Sequence, residues 1–162
     1  MAKKHNITNA MRMLDKAKIA YEAIEYDAGG EIGDNFGERI AGLTGLAADI
    51  SFKTLVARGK AGLYTACIPV SCELDLKKLA AAAGEKKIEM IHVRELLDLT
   101  GYIRGGVSPI GMKKKYPTFI HESALAHDKI AVSGGVCGIT LLMQPGDLIG
   151  VCGAQTADII KN

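Results

Sequence analysis

A chain of 162 residues, 48% of them hydrophobic, is long enough for one compact domain with a real core and short for two. With 20 Lys and Arg against 18 Asp and Glu the net charge is +2, too balanced to indicate a polyanion partner from composition, so any nucleic-acid contact must come from a local patch. No long apolar run follows Met1-Ala2-Lys3-Lys4-His5-Asn6, which argues against a signal peptide or membrane span and for a cytoplasmic protein.

In chain order, Thr8 or Asn9 caps a first helix that runs through Lys18, with Met11, Leu14 and Ala17 on one face. Tyr21 to Tyr26 alternates as a strand with Ile24 and Tyr26 on the same side, and Asp27 to Asn35, with its glycines, is a loop. A short helix over Phe36 to Leu43 closes before Gly45, and Phe52 to Arg58 is a strand. Gly59 to Gly62 turns it into a returning strand, Leu63 to Val70, with Pro69 near its end or on an edge. Leu76 to Ala83 is the clearest helix, preceded by Asp75 as N-cap and followed by Gly84. A short strand over Ile88 to Ile91 and a helix over Val93 to Leu99 lead to Gly101. Strands follow at Thr118 to His121, Lys129 to Val132 and Ile139 to Met143, with Ser133-Gly134-Gly135 turning between the last two. Pro145 to Asn162 reads as a helical turn and an irregular or short helical tail. Strands outnumber helices and are partly hairpin-linked, which gives an α+β fold: a mixed sheet or barrel-like core surrounded by helices, in a single domain over residues 1–162.

The stretch Thr100 to Met112 holds Gly101, Gly105, Gly106 and Gly111 with Pro109 and is a shaped backbone instead of a packing surface. Glycine lets a ligand approach the main chain, and Pro109 pushes Ser108 towards an extended conformation. Such a loop presents N–H groups that bind an anion or polarise a carbonyl. A Gly-rich turn between helix and strand would give the same pattern. Lys53 lies inside an apolar strand on the face of Leu55 or just beside it, where it serves either as an edge lysine or as a cleft cation for a phosphate, carboxylate or oxyanion. Ser133 opens a turn that would place a hydroxyl at a cleft rim, and turn chemistry accounts for it equally well. Lys113, Lys114 and Lys115 form the densest basic run, a solvated face or a phosphate contact. Cys67, Cys72, Cys137 and Cys152 form no C-x-x-C pair and cluster with no histidines, so neither a metal site nor a redox motif is expected. The loop lacks a phosphate-loop or dinucleotide signature, and no catalytic triad or paired-carboxylate motif is present.

Three segments combine: F-K-T-L-V at Phe52 to Val56, G-Y-I-R-G-G-V-S-P-I-G at Gly101 to Gly111, and V-S-G-G at Val132 to Gly135. In this order and spacing, with L-D-L-K-K-L-A at Leu74 to Ala80, K-K-x-P-T ending at Thr118 and P-G-D-L at Pro145 to Leu148, the chain resembles the YbaK/EbsC family of aminoacyl-tRNA deacylases. These are relatives of the editing domain inserted in bacterial prolyl-tRNA synthetases, and the nearest branch acts on Cys-tRNA(Pro). The resemblance implies a barrel-like domain whose cleft receives the aminoacylated 3′ end of tRNA and hydrolyses its ester without a cofactor. It places the family's strand lysine on Lys53, its loop on Gly105, Gly106 and Pro109, its serine on Ser133, and pocket aromatics on Tyr26 and Phe36.

Two departures stand out. Ala28-Gly29-Gly30 replaces the usual H-D-P, and Thr140 occupies a position where many relatives carry a carboxylate that bears on substrate selection. On this resemblance tRNA is the partner, met by Lys113 to Lys115, with prolyl-tRNA synthetase as a candidate for delivering it. A deacylase for another small amino acid, such as Ala-tRNA(Pro), and a non-catalytic binding regulator of the same fold are the alternatives.

Overall fold

The computed structural model describes residues 7–27 and 36–162, with backbone alone at 36 and 37. Helix α1, Asn9–Lys16, is capped by Thr8, whose hydroxyl accepts from Met11 N–H at 3.1 Å. It stops short of Lys18, which takes a positive φ of 58° and turns the chain into strand β1, Tyr21–Glu25. Helix α2, Phe36–Thr44, leads through a turn to strands β2, Phe52–Arg58, and β3, Leu63–Pro69. In helix α3, Leu76–Ala83, the Asp75 carboxylate accepts from Lys77 and Lys78 N–H, and Gly84 at φ 74° ends the helix as the local sequence dictates.

Strand β4 is only Glu89–Met90. The expected helix after it divides into a 3-10 turn, Val93–Glu95, and the short helix α4, Leu96–Thr100, closed by Gly101 at φ 84°. Strands β5, Thr118–His121, β6, Ile130–Ser133, and β7, Ile139–Met143, precede helix α5, Pro145–Cys152. The tail then forms a strand, β8 at Gln155–Ala157, where a helical or irregular segment was expected. Three residues without alternation give no local strand signal. The strand exists because β5 offers a parallel partner, Ile120 opposite Thr156.

The strands form two sheets, one ordered β1-β7-β6 and one β4-β2-β3-β5-β8, so the barrel-like core is an α+β arrangement of two sheets that do not close into a barrel. They meet at a parallel bridge between Ser51 and Ala131, where Ala131 N–H donates to Ile50 O at 2.8 Å. One apolar cluster fills the space between the sheets, α1 and α5, around Leu14, Ile120, Ile130, Leu141 and Leu148. A second packs α3 on the far face of the larger sheet, around Ile68, Leu79, Phe119 and Ile159. Among the described residues no helix is long and apolar enough to cross a membrane.

Candidate active site

Beyond the Ser51–Ala131 bridge no ladder continues between β2 and β6 among the described residues. Strand β4 pairs with the edge of β2 at Ala57 and Arg58, and Ile91 N–H adds a hydrogen bond to Val56 O at 3.3 Å, so β4 leaves the edge before Val56 unpaired. A cavity of about 450 Å³ lies there, lined by five consecutive residues, Phe52 to Val56, which is possible only where a cavity runs along the edge of a strand. Ser133 ends β6 two positions past Ala131, as Lys53 stands two positions past Ser51. Both line the cavity. The pairing of Lys53 with Ile68 and of Leu55 with Ala66 puts Lys53 on the face of Leu55, as the alternation predicts.

The glycine loop supplies the third wall. Tyr102 closes it by donating its hydroxyl to Ile110 O at 2.6 Å, and Ile110 N–H donates to Ser108 Oγ at 3.3 Å. Gly106 N–H is spent on Ile103 O in a turn at whose crest Gly105 adopts φ 88°. Among the described residues the Gly105 N–H has no main-chain acceptor, and Gly105 lines the cavity. A Cβ on Gly135 would come within 2.9 Å of the Tyr102 ring, so the Tyr102 side chain braces the glycine loop against the Ser-Gly-Gly turn.

Ser133 Oγ accepts from Gly135 N–H at 3.2 Å, which leaves its own O–H to donate. Thr140, paired with Ser133 across the hairpin, donates its hydroxyl to Val132 O at 2.9 Å and is buried. Tyr26 N–H donates to Gly138 O, and burial, foremost, raises its phenol above the ordinary value. Across the β2–β3 pair Thr54 Oγ1 meets Cys67 Sγ at 3.7 Å, and burial pushes that thiol up to about 12. Cys67 therefore stays protonated at neutral pH and is no nucleophile.

Of the residues singled out from sequence, Tyr26, Lys53, Gly105, Ser133 and Thr140 are brought together around the one cavity. Gly106 and Pro109 do not line it. Gly106 packs on the Val136–Cys137 main chain, and Pro109 O accepts from Cys152 Sγ at 3.4 Å, so both act as buttresses behind the wall. The side chain of Phe36 and the loop Ala28-Gly29-Gly30 lie outside the described residues. Lys113, Lys114 and Lys115 are exposed and away from the cavity lining. Sequence reading missed Arg104 and the apolar wall of Met90, Ile91, Val93 and Leu96. Arg104 was signalled by its place beside Gly105 in the same loop, whereas the wall comes from two segments whose apolar residues read as a short strand and a helix. The charged groups that line the cavity among the described residues, Lys53 and Arg104, are both cationic and suit an anion or a developing oxyanion.

A sequence profile described as the aminoacyl-tRNA editing domain matches residues 38–151, which include β2, the glycine loop and the Ser133 turn. The chain belongs to the aminoacyl-tRNA editing domain family. Within this family it is 44% identical over 162 residues, with 98% of each chain covered, to EbsC of Enterococcus faecalis, provisionally named a Cys-tRNA(Pro)/Cys-tRNA(Cys) deacylase. A proline–tRNA ligase of Thermosipho africanus is 30% identical over 84 residues, covering 52% of this chain and 15% of the ligase. The editing-domain fold recurs in a crystal structure described provisionally as a trans-editing enzyme for prolyl tRNA synthetase. It has a TM-score of 0.83 at 24% identity and covers 95% of this chain and 96% of that one.

Proposed function

We propose that this protein is a free-standing editing hydrolase that cleaves the ester of mischarged aminoacyl-tRNA, with Cys-tRNA(Pro) as its substrate. The observation that carries the reading is the convergence of Lys53, Gly105 and Ser133, far apart in sequence, on one cavity in a chain of the editing family. An aminoacyl ester is already activated, so positioning and oxyanion stabilisation suffice without a protein nucleophile. The Gly105 N–H polarises the ester carbonyl, Lys53 orients the terminal ribose or phosphate, and Ser133 O–H holds the substrate.

With a cysteinyl ester the substrate's own thiol attacks the carbonyl carbon. A C–S bond forms, the ester C–O bond breaks, and the thiol proton passes to the departing ribose oxygen, giving free tRNA and a thiolactone that water opens. Resemblance to EbsC supports the cysteinyl substrate. A second reading, cleavage of another small ester such as Ala-tRNA(Pro), is kept because Thr140, its hydroxyl committed to Val132 O, offers the substrate amine no charge and leaves amino-acid selection open.

Hydrolysis of Cys-tRNA(Pro), Ala-tRNA(Pro) and Pro-tRNA(Pro) by wild type and Lys53→Ala tests both. Selective loss of the cysteinyl ester, reduced roughly 10²-fold or more in the variant, is expected. Equal cleavage of the alanyl ester would point to the second reading, and near-normal activity of a folded Lys53→Ala protein would remove Lys53 from the mechanism.

A further inference from the structure

We propose that the mouth of the cavity seats the terminal nucleotide of the tRNA, with its base against Met90 and Val93 and its 5′ phosphate on Arg104. This rests on the deacylase reading above, narrows the role of Lys53 there to the ribose, and adds the residues that hold the nucleoside.

Three observations carry it. At about 450 Å³ the cavity lies within the roughly 300–1,000 Å³ range of pockets that take a drug-sized molecule, far more than a cysteinyl group fills. The surplus is walled by Met90, Ile91, Val93 and Leu96, of which Met90 is 43% and Val93 54% exposed although both line the cavity. A pair of exposed apolar side chains lining a cavity that also holds Lys53 and Ser133 matches the flat apolar face of a nucleobase. On the glycine-loop side stands Arg104, exposed, lining the same cavity, and without an ion pair among the described residues. A guanidinium beside the Gly105 N–H, facing solvent at the rim, is the group that meets a phosphate one ribose away from the ester.

The wall is held in place from outside the cavity. Glu95 accepts from Arg58 at 2.8 Å and from His92 N–H at 2.9 Å, which ties the 3-10 turn to β2. A preorganised wall costs less to bind against than a mobile one.

The test uses the full chain and uncleavable analogues in which an amide replaces the ester: 3′-cysteinylamino-3′-deoxyadenosine, with and without a 5′ phosphate, measured by calorimetry. Wild type is expected to bind the nucleotide more tightly than the nucleoside. Arg104→Gln is expected to weaken the nucleotide about tenfold and to abolish that difference. The double variant Met90→Ser, Val93→Ser is expected to weaken both analogues about tenfold, and cysteine amide, which lacks the nucleoside, not at all. An unchanged preference for the nucleotide in Arg104→Gln would overturn the phosphate assignment, and unchanged affinities in the double variant would overturn the base assignment. If wild type cleaves Cys-tRNA(Pro) but binds neither analogue more tightly than cysteine amide, the nucleotide seat is wrong and the deacylase reading survives. Tight, Arg104-dependent binding without any ester turnover supports the seat and overturns the hydrolase.

Discussion

At Gly106 a Cβ would stand 2.9 Å from Val136 Cα and 3.0 Å from Cys137 N, both main-chain atoms that cannot step aside. Gly106→Ala is therefore expected to cost about 1–3 kcal/mol in denaturant titration. It should also lower kcat about 10²-fold, because the displaced turn carries Gly105 with it. Tyr102→Phe keeps the ring but removes the hydrogen bond to Ile110 O, leaving a buried carbonyl unpaired at a cost of about 1–3 kcal/mol. Among the thiols, Cys67 and Cys152 are buried, and burial, foremost, pushes each up to about 12. Because both folded values lie above the ordinary thiol value, their stabilisation is complete below about pH 9 and drains away as pH rises from there towards 12. Thermal melts taken in steps above pH 9 should fall accordingly, and Cys67→Ala should flatten that fall. In the native protein a thiol reagent should reach Cys72 and Cys137 first.

Elements differ in how much of themselves their own residues declare. Helix α3 is fully legible because Asp75, the apolar spacing and Gly84 are all local, and each appears in the structure doing what its chemistry dictates. Strand β8 is not, because its existence depends on a partner 36 positions earlier, Phe119 opposite Gln155. The tail it begins is well anchored. Lys78 Nζ donates to Ile160 O at 2.8 Å and pairs with Asp158 at 3.0 Å, while Ile159 is completely buried against α3. Ile159→Ala should cost roughly 2–5 kcal/mol, measured by chemical unfolding, although the residue lies only three positions before Asn162. The candidate site was legible to a similar, partial degree. Lys53, Ser133 and the glycine loop carry motifs and could be named, but Met90 read as part of a short strand and Val93 and Leu96 as helix spacing until folding set them around the cavity.

Across the whole molecule, a net charge of +2 places the burden of tRNA attraction on local groups. Lys113, Lys114 and Lys115 lie outside the cavity lining, so their proposed contact would be with phosphates beyond the terminal nucleotide. Replacing all three by Gln should raise the KM for aminoacyl-tRNA and flatten its dependence on salt by roughly 0.7–0.9 in log–log slope for each lysine that meets a phosphate. A slope identical to wild type would dismiss the run as a tRNA contact. The joint at Ser51 and Ala131 bears on more than architecture. With Lys53 and Ser133 each two positions beyond it, the gap they span is set like the points of a pair of dividers, by the angle between two strands hinged at one bridge. Refitting this protein to a bulkier acyl group would thus be a matter of adjusting the pivot while leaving the points untouched.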